Sequence, residues 1–163
     1  MSLVFTESVI VVGGGPVGAT LALTLQTKGV PVTMLEARAK GAAYQDQRAL
    51  ALSYGSRRIL EQLGVWQKLA SKATAINKIH ISQRGSIGRS LLKAQDYDLP
   101  ALGYVLSYGV LAQALDEKLA EFSGVQIVYE SEATHIKPAI ETASVTFKPV
   151  SYTHLRAHET VLD

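Results

Sequence analysis

Three glycines and one glutamate within the first 36 residues are spaced so that they can bind different parts of one ligand. Gly13, Gly15 and Gly18 form the pattern G-x-G-x-x-G directly after an apolar, β-branched run. In this pattern the glycines allow a tight turn, close approach of the backbone to a diphosphate, and close packing of a helix on a strand. Glu36 follows eighteen residues after Gly18, where a carboxylate accepts hydrogen bonds from a ribose 2′-hydroxyl. These residues predict a dinucleotide site.

The elements around these residues are the ones that such a site needs. Ser8–Val12 is typical of a strand buried on both faces of a parallel sheet. A helix is predicted to begin near Pro16, to direct its free N–H groups at the diphosphate, and to end at Gly29. The next strand is predicted over Val32–Leu35, directly before the acid. Apolar residues recur at helical spacing at Val17, Leu21 and Leu25. The motif alone does not separate FAD from NAD.

Composition excludes several other classes of function. With 163 residues, 47% hydrophobic and 18% charged, the chain is long enough for a globular core. A net charge of +2 with scattered basic residues argues against nucleic acid as a partner. The absence of cysteine excludes disulfides and thiolate metal sites and is compatible with the cytoplasm. The apolar stretch Val9–Leu25 is not interpreted as an export signal or membrane span, because no positive charge precedes it, Glu7 lies at its edge and three glycines interrupt it.

The last residues do not resemble protein-coding sequence. Residues 150–160, VSYTHLRAHET, match the in-frame translation of a transposase-type sequencing-library adapter over eleven consecutive residues. The rival interpretation is a helix on which His154 and His158 bind a metal at spacing i, i+4, but the usual acid and third ligand are missing. We therefore predict no metal site. We expect the native sequence to stop near Pro149, so that the chain is the amino-terminal piece of a longer protein.

The remaining sequence predicts further strands and helices. Ser53 can cap a helix over residues 55–63, and Trp66 is interpreted as a core residue. From spacing alone, Arg48 and His80 are interpreted as solvent-exposed. The other predictions are strands over 47–52, 76–82 and 102–107, the last two in an antiparallel layer; a turn over 83–88; a helix over 110–122; a parallel strand over 125–129; and one more strand over 145–147.

Several segments together resemble one family of enzymes. VIVVGGGPVGATLAL, LEAR, DQRALAL, LGVWQKLA and IHISQRG are similar to the flavin-dependent aromatic hydroxylases of ubiquinone biosynthesis, of the 2-polyprenyl-6-methoxyphenol hydroxylase type. These belong to the p-hydroxybenzoate-hydroxylase-like class. The resemblance implies an α/β fold with a Rossmann-like FAD-binding βαβ domain and the start of an antiparallel substrate layer. The expected organisation is 1–75 for FAD binding, 76–107 for the first substrate-domain strands, 108–149 for a return to FAD binding, and 150–163 for the adapter-like tail.

The resemblance selects FAD as the cofactor and implies a set of binding residues. It assigns Glu36 to the adenosine ribose and makes Arg48, in the D-x-R stretch, a flavin contact. Many members of the family have glutamine where this chain has Ala112, and Gln113 is the nearest equivalent. The complete expected set is Gly13, Gly15, Pro16, Val17, Gly18, Glu36, Arg38, Arg48 and Gln113.

The resemblance also implies a reaction, in which NAD(P)H reduces FAD, O₂ gives a flavin C4a-hydroperoxide, and oxygen is transferred to a polyprenylated phenol. No catalytic side chain is assigned, and the chain as given is expected to be inactive and to hold FAD weakly. The implied location is the cytoplasm, with peripheral contact to the inner membrane or to a quinone-biosynthesis complex. Two alternatives stay open: another FAD- or NAD-dependent oxidoreductase, and a non-catalytic nucleotide-binding module.

Overall fold

The computed structural model describes residues 9–82, 89–137 and 143–150. The turn predicted over 83–88 and the tail from residue 151 onward lie outside these described residues. The chain forms two compact units. The first combines the residues up to Ala43 with those from Leu115 onward, and the second spans Tyr44–Ala114.

The described residues alternate between strands and helices along the chain. In order, these are β1 (Val9–Val12), α1 (Pro16–Gln26), β2 (Val32–Leu35), β3 (Ala49–Ser53), α2 (Tyr54–Gln62), α3 (Trp66–Leu69), β4 (Thr74–Ile76), β5 (Lys78–Ser82), β6 (Arg89–Lys93), β7 (Gly103–Ser107), α4 (Tyr108–Leu119), β8 (Val125–Val128), β9 (Ser131–Lys137) and β10 (Ser144–Pro149). Short 3₁₀ turns cover Ala70–Lys72 and Ala94–Tyr97.

The first unit is built on a three-stranded parallel sheet in the order β1-β2-β8. Val9 pairs with Val32 at one end of the β1-β2 ladder, and Leu35 pairs with Val128 at the far end of the β2-β8 ladder. All four residues of β2 are buried, as expected for the central strand of a parallel sheet. Because α1 connects two parallel neighbours, the predicted βαβ unit is confirmed.

Helix α1 packs through Leu23 and two alanines rather than through Val17 and Leu21. Ala19, Ala22 and Leu23 are buried, and the two alanines allow the helix to approach the sheet closely. Val17 and Leu21, which belong to the stripe seen in the sequence, are 85% and 48% exposed. The apolar spacing therefore predicts the helix correctly, but the buried face is a different one.

Strand β10 departs from the expected topology. The sequence predicts one more strand over Val145–Phe147, following the parallel strand before it. The strand exists, but it pairs antiparallel with β9 and does not join the parallel sheet. Only six residues separate Lys137 from Ser144, whereas a parallel connection needs a crossover of about a dozen residues or more. The short connection therefore requires an antiparallel pair.

The second unit contains two antiparallel sheets, β3-β7-β4 and β5-β6. The antiparallel pairing expected in this region is confirmed, but the single strand predicted over residues 76–82 is two strands in different sheets. They are separated at Asn77, whose carbonyl accepts a hydrogen bond from the Ala94 N–H at 2.9 Å. His80, in β5, is exposed as predicted.

Helices α2 and α3 form the helical side of the second unit. Ser53 caps α2 by accepting a hydrogen bond from the Ser56 N–H at 3.0 Å, as predicted. Trp66 is buried, and its ring meets the edge of Tyr104 with centroids 4.8 Å apart. Trp66 is therefore the core residue that the sequence predicts.

Arg57 fills the space beside this tryptophan. Its guanidinium carbon lies 5.5 Å from the ring centroid of Trp66 and 5.7 Å from that of Tyr54, and it forms an ion pair with Glu61 at 2.8 Å. The side chain is only 19% exposed, and its Nε is buried without a hydrogen-bond partner among the described residues. The aliphatic stem and the cation–π contacts are therefore the interactions through which we expect Arg57 to stabilise this part of the fold.

We expect Arg57→Ala to lower the free energy of unfolding by about 1–2 kcal/mol, since it removes both contacts. Arg57→Met keeps the apolar stem and removes the unpaired Nε, so this variant should lower the free energy of unfolding by less than about 1 kcal/mol. Urea unfolding can be followed by the fluorescence of Trp66, the one tryptophan in the chain. The exposed neighbour Arg58 provides the control as Arg58→Ala, with an expected change within about 0.5 kcal/mol. Equal losses for both alanine variants would contradict this role.

Candidate functional site

A glycine turn ends β1 and begins α1 in the first unit. Gly13 has a φ of +95°, a backbone conformation that residues with a side chain rarely adopt. Its N–H donates a hydrogen bond to the Leu35 carbonyl at 2.8 Å, which joins the turn to the end of β2. The turn and the carboxyl end of β2 therefore lie at the same edge of the parallel sheet.

Gly18 allows the first turn of α1 to lie directly against this loop. A Cβ atom at Gly18 would lie 2.0 Å from the carbonyl oxygen of Gly13 and 3.2 Å from a side-chain carbon of Val11. The first of these distances is far below any tolerated contact with a backbone atom. Only glycine at this position permits the observed approach of helix to strand.

The amino terminus of α1 is open to an anion. Gly15 is the N-cap residue in extended conformation and, lacking a side chain, forms no side-chain cap; Pro16 follows at the first helical position. The N–H groups of a first helical turn have no intrahelical acceptor, and they carry the positive end of the helix dipole. Val17, at this end, is largely exposed. The terminus thus has the chemistry that binds a diphosphate.

Glu36 lies beside this turn, directly after β2, and is buried. Its Oε2 accepts a hydrogen bond from the Gly14 N–H at 2.7 Å. Its Oε1 accepts two more from Arg38, from the backbone N–H at 2.9 Å and from Nε at 2.7 Å. The carboxylate is thereby held in one orientation at the end of the glycine turn.

These contacts decide the charge state of Glu36. Burial by itself would raise the pKa of this carboxyl. The hydrogen bonds from the Arg38 side chain and backbone and from the Gly14 N–H, together with the positive charge of Arg38, outweigh burial and lower the pKa below its usual value. Glu36 is therefore an anion at neutral pH.

The residues present fit the adenosine diphosphate end of a dinucleotide. A Cβ atom at Gly13 would meet nothing within 4 Å, so the turn is open at that residue, whereas Gly18 serves the close packing of α1 on the turn. A carboxylate offers about four acceptor positions, and the three hydrogen bonds from Gly14 and Arg38 leave one of them on Oε2 of Glu36. That position can accept a ribose hydroxyl, and the negative charge disfavours a 2′-phosphate.

Gly14 is a residue that the G-x-G-x-x-G pattern does not single out. Its N–H holds Glu36, and a Cβ atom there would lie 3.0 Å from Oε2 and 3.3 Å from the terminal methyl of Met34. The one feature of the sequence that could have indicated this role is the uninterrupted run of Gly13, Gly14 and Gly15, whose middle glycine stands at an x position of the motif. Its role follows from a contact across 22 residues.

Arg48 lies in the second unit, at the start of β3. Its side chain is 77% exposed, yet it is oriented by Asp46, which accepts from the Arg48 backbone N–H at 3.0 Å and from Nε at 2.9 Å. The guanidinium carbon also lies 5.3 Å from the ring centroid of Tyr108. Exposure agrees with the interpretation from spacing, and the flavin contact stays a prediction. The sequence pattern gave no role to Asp46, two residues before Arg48, although its carboxylate orients the arginine.

The amino terminus of α4 holds the loop that carries Arg48. The Gly109 N–H donates to the Asp46 carbonyl at 2.8 Å, and the Tyr108 N–H donates to the Arg48 carbonyl at 2.9 Å. A Cβ atom at Gly109 would lie 2.2 Å from the Tyr44 carbonyl oxygen. Only a glycine at position 109 permits this close approach. Gln113 is exposed one turn further along α4.

Within the described ranges, every helix is too short or too polar to cross a bilayer.

The amino-acid sequence matches the family model described as an FAD binding domain over residues 6–157. Among curated proteins, it is 30% identical to the ubiquinone hydroxylase UbiL of Rhodospirillum rubrum, over 85% of this chain and 33% of the relative. It is 33% identical to the 3-demethoxyubiquinol 3-hydroxylase of Escherichia coli K12, over 68% of this chain and 29% of the relative. The chain therefore spans about a third of the length of these relatives.

The fold has counterparts among solved structures. The crystal structure of p-nitrophenol 4-monooxygenase PnpA from Pseudomonas putida superposes with a TM-score of 0.71. The alignment covers 88% of this chain and 36% of that structure at 22% sequence identity. At this level of identity the likeness concerns the fold alone.

Proposed function

Because this chain belongs to the family of FAD binding domains, we propose that its first unit binds the adenosine diphosphate end of FAD. The observation that carries the proposal is the placement of Gly14, Glu36 and the open terminus of α1 at one edge of the sheet. That edge offers N–H donors for a diphosphate and a carboxylate for a ribose, at the carboxyl ends of parallel strands where such ligands bind.

Each residue of the expected set receives a role in this proposal. The turn and the helix terminus bind the diphosphate, Glu36 accepts a ribose hydroxyl, and Arg38 holds the Glu36 carboxylate in place. Arg48 and Gln113 contact the flavin part. The proposed binding set is Gly13, Gly15, Pro16, Val17, Gly18, Glu36, Arg38, Arg48 and Gln113.

We further propose that the whole protein is a monooxygenase that hydroxylates a polyprenylated phenol in ubiquinone biosynthesis. The names of the two bacterial relatives support this substrate class. In such a reaction bound FAD supplies electron transfer and oxygen activation, with NAD(P)H as the electron donor. The residues of this chain bind and orient the cofactor. A polyprenyl tail partitions into lipid, so the substrate is proposed to be met at the inner-membrane surface from the cytoplasmic side or within a quinone-biosynthesis complex.

Cofactor choice is tested by titrating the purified chain with FAD, FMN and NAD. We expect FAD to bind more tightly than NAD, and FMN to bind weakly because it lacks the adenosine half. Flavin fluorescence reports the first two ligands, and calorimetry reports all three. Tighter binding of NAD than of FAD would contradict the proposal and favour a nicotinamide-dependent enzyme.

The substrate class requires a separate experiment. Interrupting the gene in its host should lower the ubiquinone content and cause a polyprenylated phenol lacking one hydroxyl group to accumulate, as measured by mass spectrometry of lipid extracts. Reintroducing the intact gene should reverse both changes. An unchanged quinone profile would contradict a role in ubiquinone biosynthesis while leaving FAD binding unaffected.

A further inference from the structure

Tyr129 lies next to Glu36 at the carboxyl edge of the parallel sheet. The β2-β8 ladder ends at the pair Leu35 and Val128, so the next position on each strand brings Glu36 beside Tyr129. The Glu36 N–H donates to the Val128 carbonyl at 2.9 Å, and its own carbonyl accepts from the Ser131 N–H at 3.0 Å. Glu36 and Tyr129 are therefore neighbours although they are 93 positions apart in the sequence.

The backbone around Tyr129 is held in place by a one-residue bulge. A regular parallel ladder would use the N–H of residue 130 to reach the Glu36 carbonyl, whereas this sheet uses Ser131. The extra residue, Glu130, has a φ of +53° and donates its N–H to the Arg38 carbonyl at 3.3 Å. The Ser131 hydroxyl in turn donates to the Tyr129 carbonyl at 3.2 Å. The tyrosine thus has a defined position rather than lying in an open loop.

The order of the strands indicates which part of a dinucleotide reaches this position. The glycine turn after β1 faces the diphosphate, and Glu36 after β2 faces the ribose. The next strand in the sheet after β2 is β8, about 4.8 Å away. A ligand that crosses the strand ends in this order has its diphosphate at β1 and its ribose at β2. The group on the other side of the ribose then lies at the end of β8. In adenosine diphosphate that group is the purine base.

The side chain of Tyr129 suits a base. It is half-buried, and burial together with the negative charges of Asp116 and Glu36 raises its pKa to about 12. Like any tyrosine phenol, it is neutral at physiological pH, and the side chain carries an aromatic ring. Aromatic side chains stack on bases with little dependence on base identity.

We propose that Tyr129 is a further binding residue of the cofactor site and that its ring contacts the purine base. The inference rests on the proposed function, since it needs an adenosine diphosphate group on Glu36. It names a residue that neither the glycine motif nor the acid after β2 indicates.

The test compares ADP with inorganic pyrophosphate as calorimetric probes of the wild-type chain, Tyr129→Leu and Tyr129→Phe. Loss of the ring should weaken ADP binding by about 5- to 30-fold and leave pyrophosphate binding unchanged, and Tyr129→Phe should stay within about twofold of wild type. The exposed Tyr97 of the second unit provides the matched control as Tyr97→Leu, with no expected change.

Nuclear Overhauser effects in the wild-type chain give a measurement that needs no folded leucine variant. In the wild-type chain with bound ADP, contacts from a tyrosine ring to adenine H2 or H8 should be present. The signals of that ring should change in Tyr129→Phe and stay the same in Tyr97→Leu. Absence of such contacts, unchanged ADP affinity in Tyr129→Leu, or equal losses of ADP and pyrophosphate would each overturn the inference. If wild type bound neither ADP nor FAD, the proposed function itself would fail.

Discussion

Gly18→Ala is expected to weaken FAD binding by at least about 100-fold, which corresponds to about 2.7 kcal/mol. The added Cβ would lie 2.0 Å from the Gly13 carbonyl oxygen, so helix α1 and the glycine turn must separate. The obstructing atom belongs to the backbone and cannot rotate away as a flexible side chain would. Separation displaces the donors proposed for the diphosphate and loosens the contact of α1 with β1.

The same substitution should destabilise the fold. Overpacking of this kind costs about 1–3 kcal/mol, which predicts a decrease in Tm of about 3–10 °C for a chain of this size. Calorimetry or circular dichroism measures Tm, and flavin fluorescence measures FAD affinity.

Gly55→Ala is the matched control. Gly55 also lies near the start of a helix, but a Cβ atom there would meet only the Ser53 hydroxyl at 3.6 Å, an ordinary contact. The change in stability should stay within about 0.5 kcal/mol, because alanine is also the better helix former. If the two alanine variants bound FAD equally well, the glycine turn would have no part in the site.

Glu36→Gln is expected to weaken FAD and ADP binding by about 10- to 100-fold, as hydrogen bonds to a charged acceptor contribute about 1.5–3 kcal/mol. Gln has one acceptor oxygen and a donor NH₂ group. The wild-type carboxylate, however, accepts from Gly14 on one oxygen and from Arg38 on the other. In the variant the NH₂ group must face one of these N–H donors, so we expect the side chain to lose its orientation and the proposed ribose contact to be lost with it.

The pH dependence of stability should separate Glu36 from a merely structural residue. Because its pKa is lowered in the folded state, its stabilising effect is fully present above the unfolded-state pKa of about 4.3 and is lost as the pH falls through the folded-state value. The difference in free energy of unfolding between wild type and Glu36→Gln should therefore be constant from about pH 7 to pH 5 and shrink at lower pH. Urea titrations at several pH values measure it.

Glu132→Gln serves as the control for this experiment. Glu132 is exposed and forms an ion pair with Lys148 at 3.3 Å, a kind of contact worth about 0–1 kcal/mol. Its substitution should leave FAD affinity unchanged. A wild-type advantage over Glu36→Gln that persisted undiminished at pH 3 would contradict the hydrogen-bonded carboxylate described above.

The sequence by itself determined the features that depend on near neighbours in the chain. The run before Gly13, the glycine spacing, Pro16 and the acid after β2 lie within one βαβ unit, where each element follows directly from the one before. The cap at Ser53 is equally local, since it joins residues three apart. Hydrophobic periodicity and capping operate over one or two turns, so the sequence suffices for them.

Only the tertiary structure decided the contacts that join distant parts of the chain. The Gly14 N–H meets Glu36 across 22 residues, Tyr129 comes beside Glu36 through the register of β2 and β8, and the clearance at Gly109 depends on the Tyr44 carbonyl. The buried face of α1 is likewise set by the sheet that it covers. Such contacts depend on strand order, register and close packing, and in a sheet a shift of one residue changes every neighbour. No local pattern in the sequence carries that information.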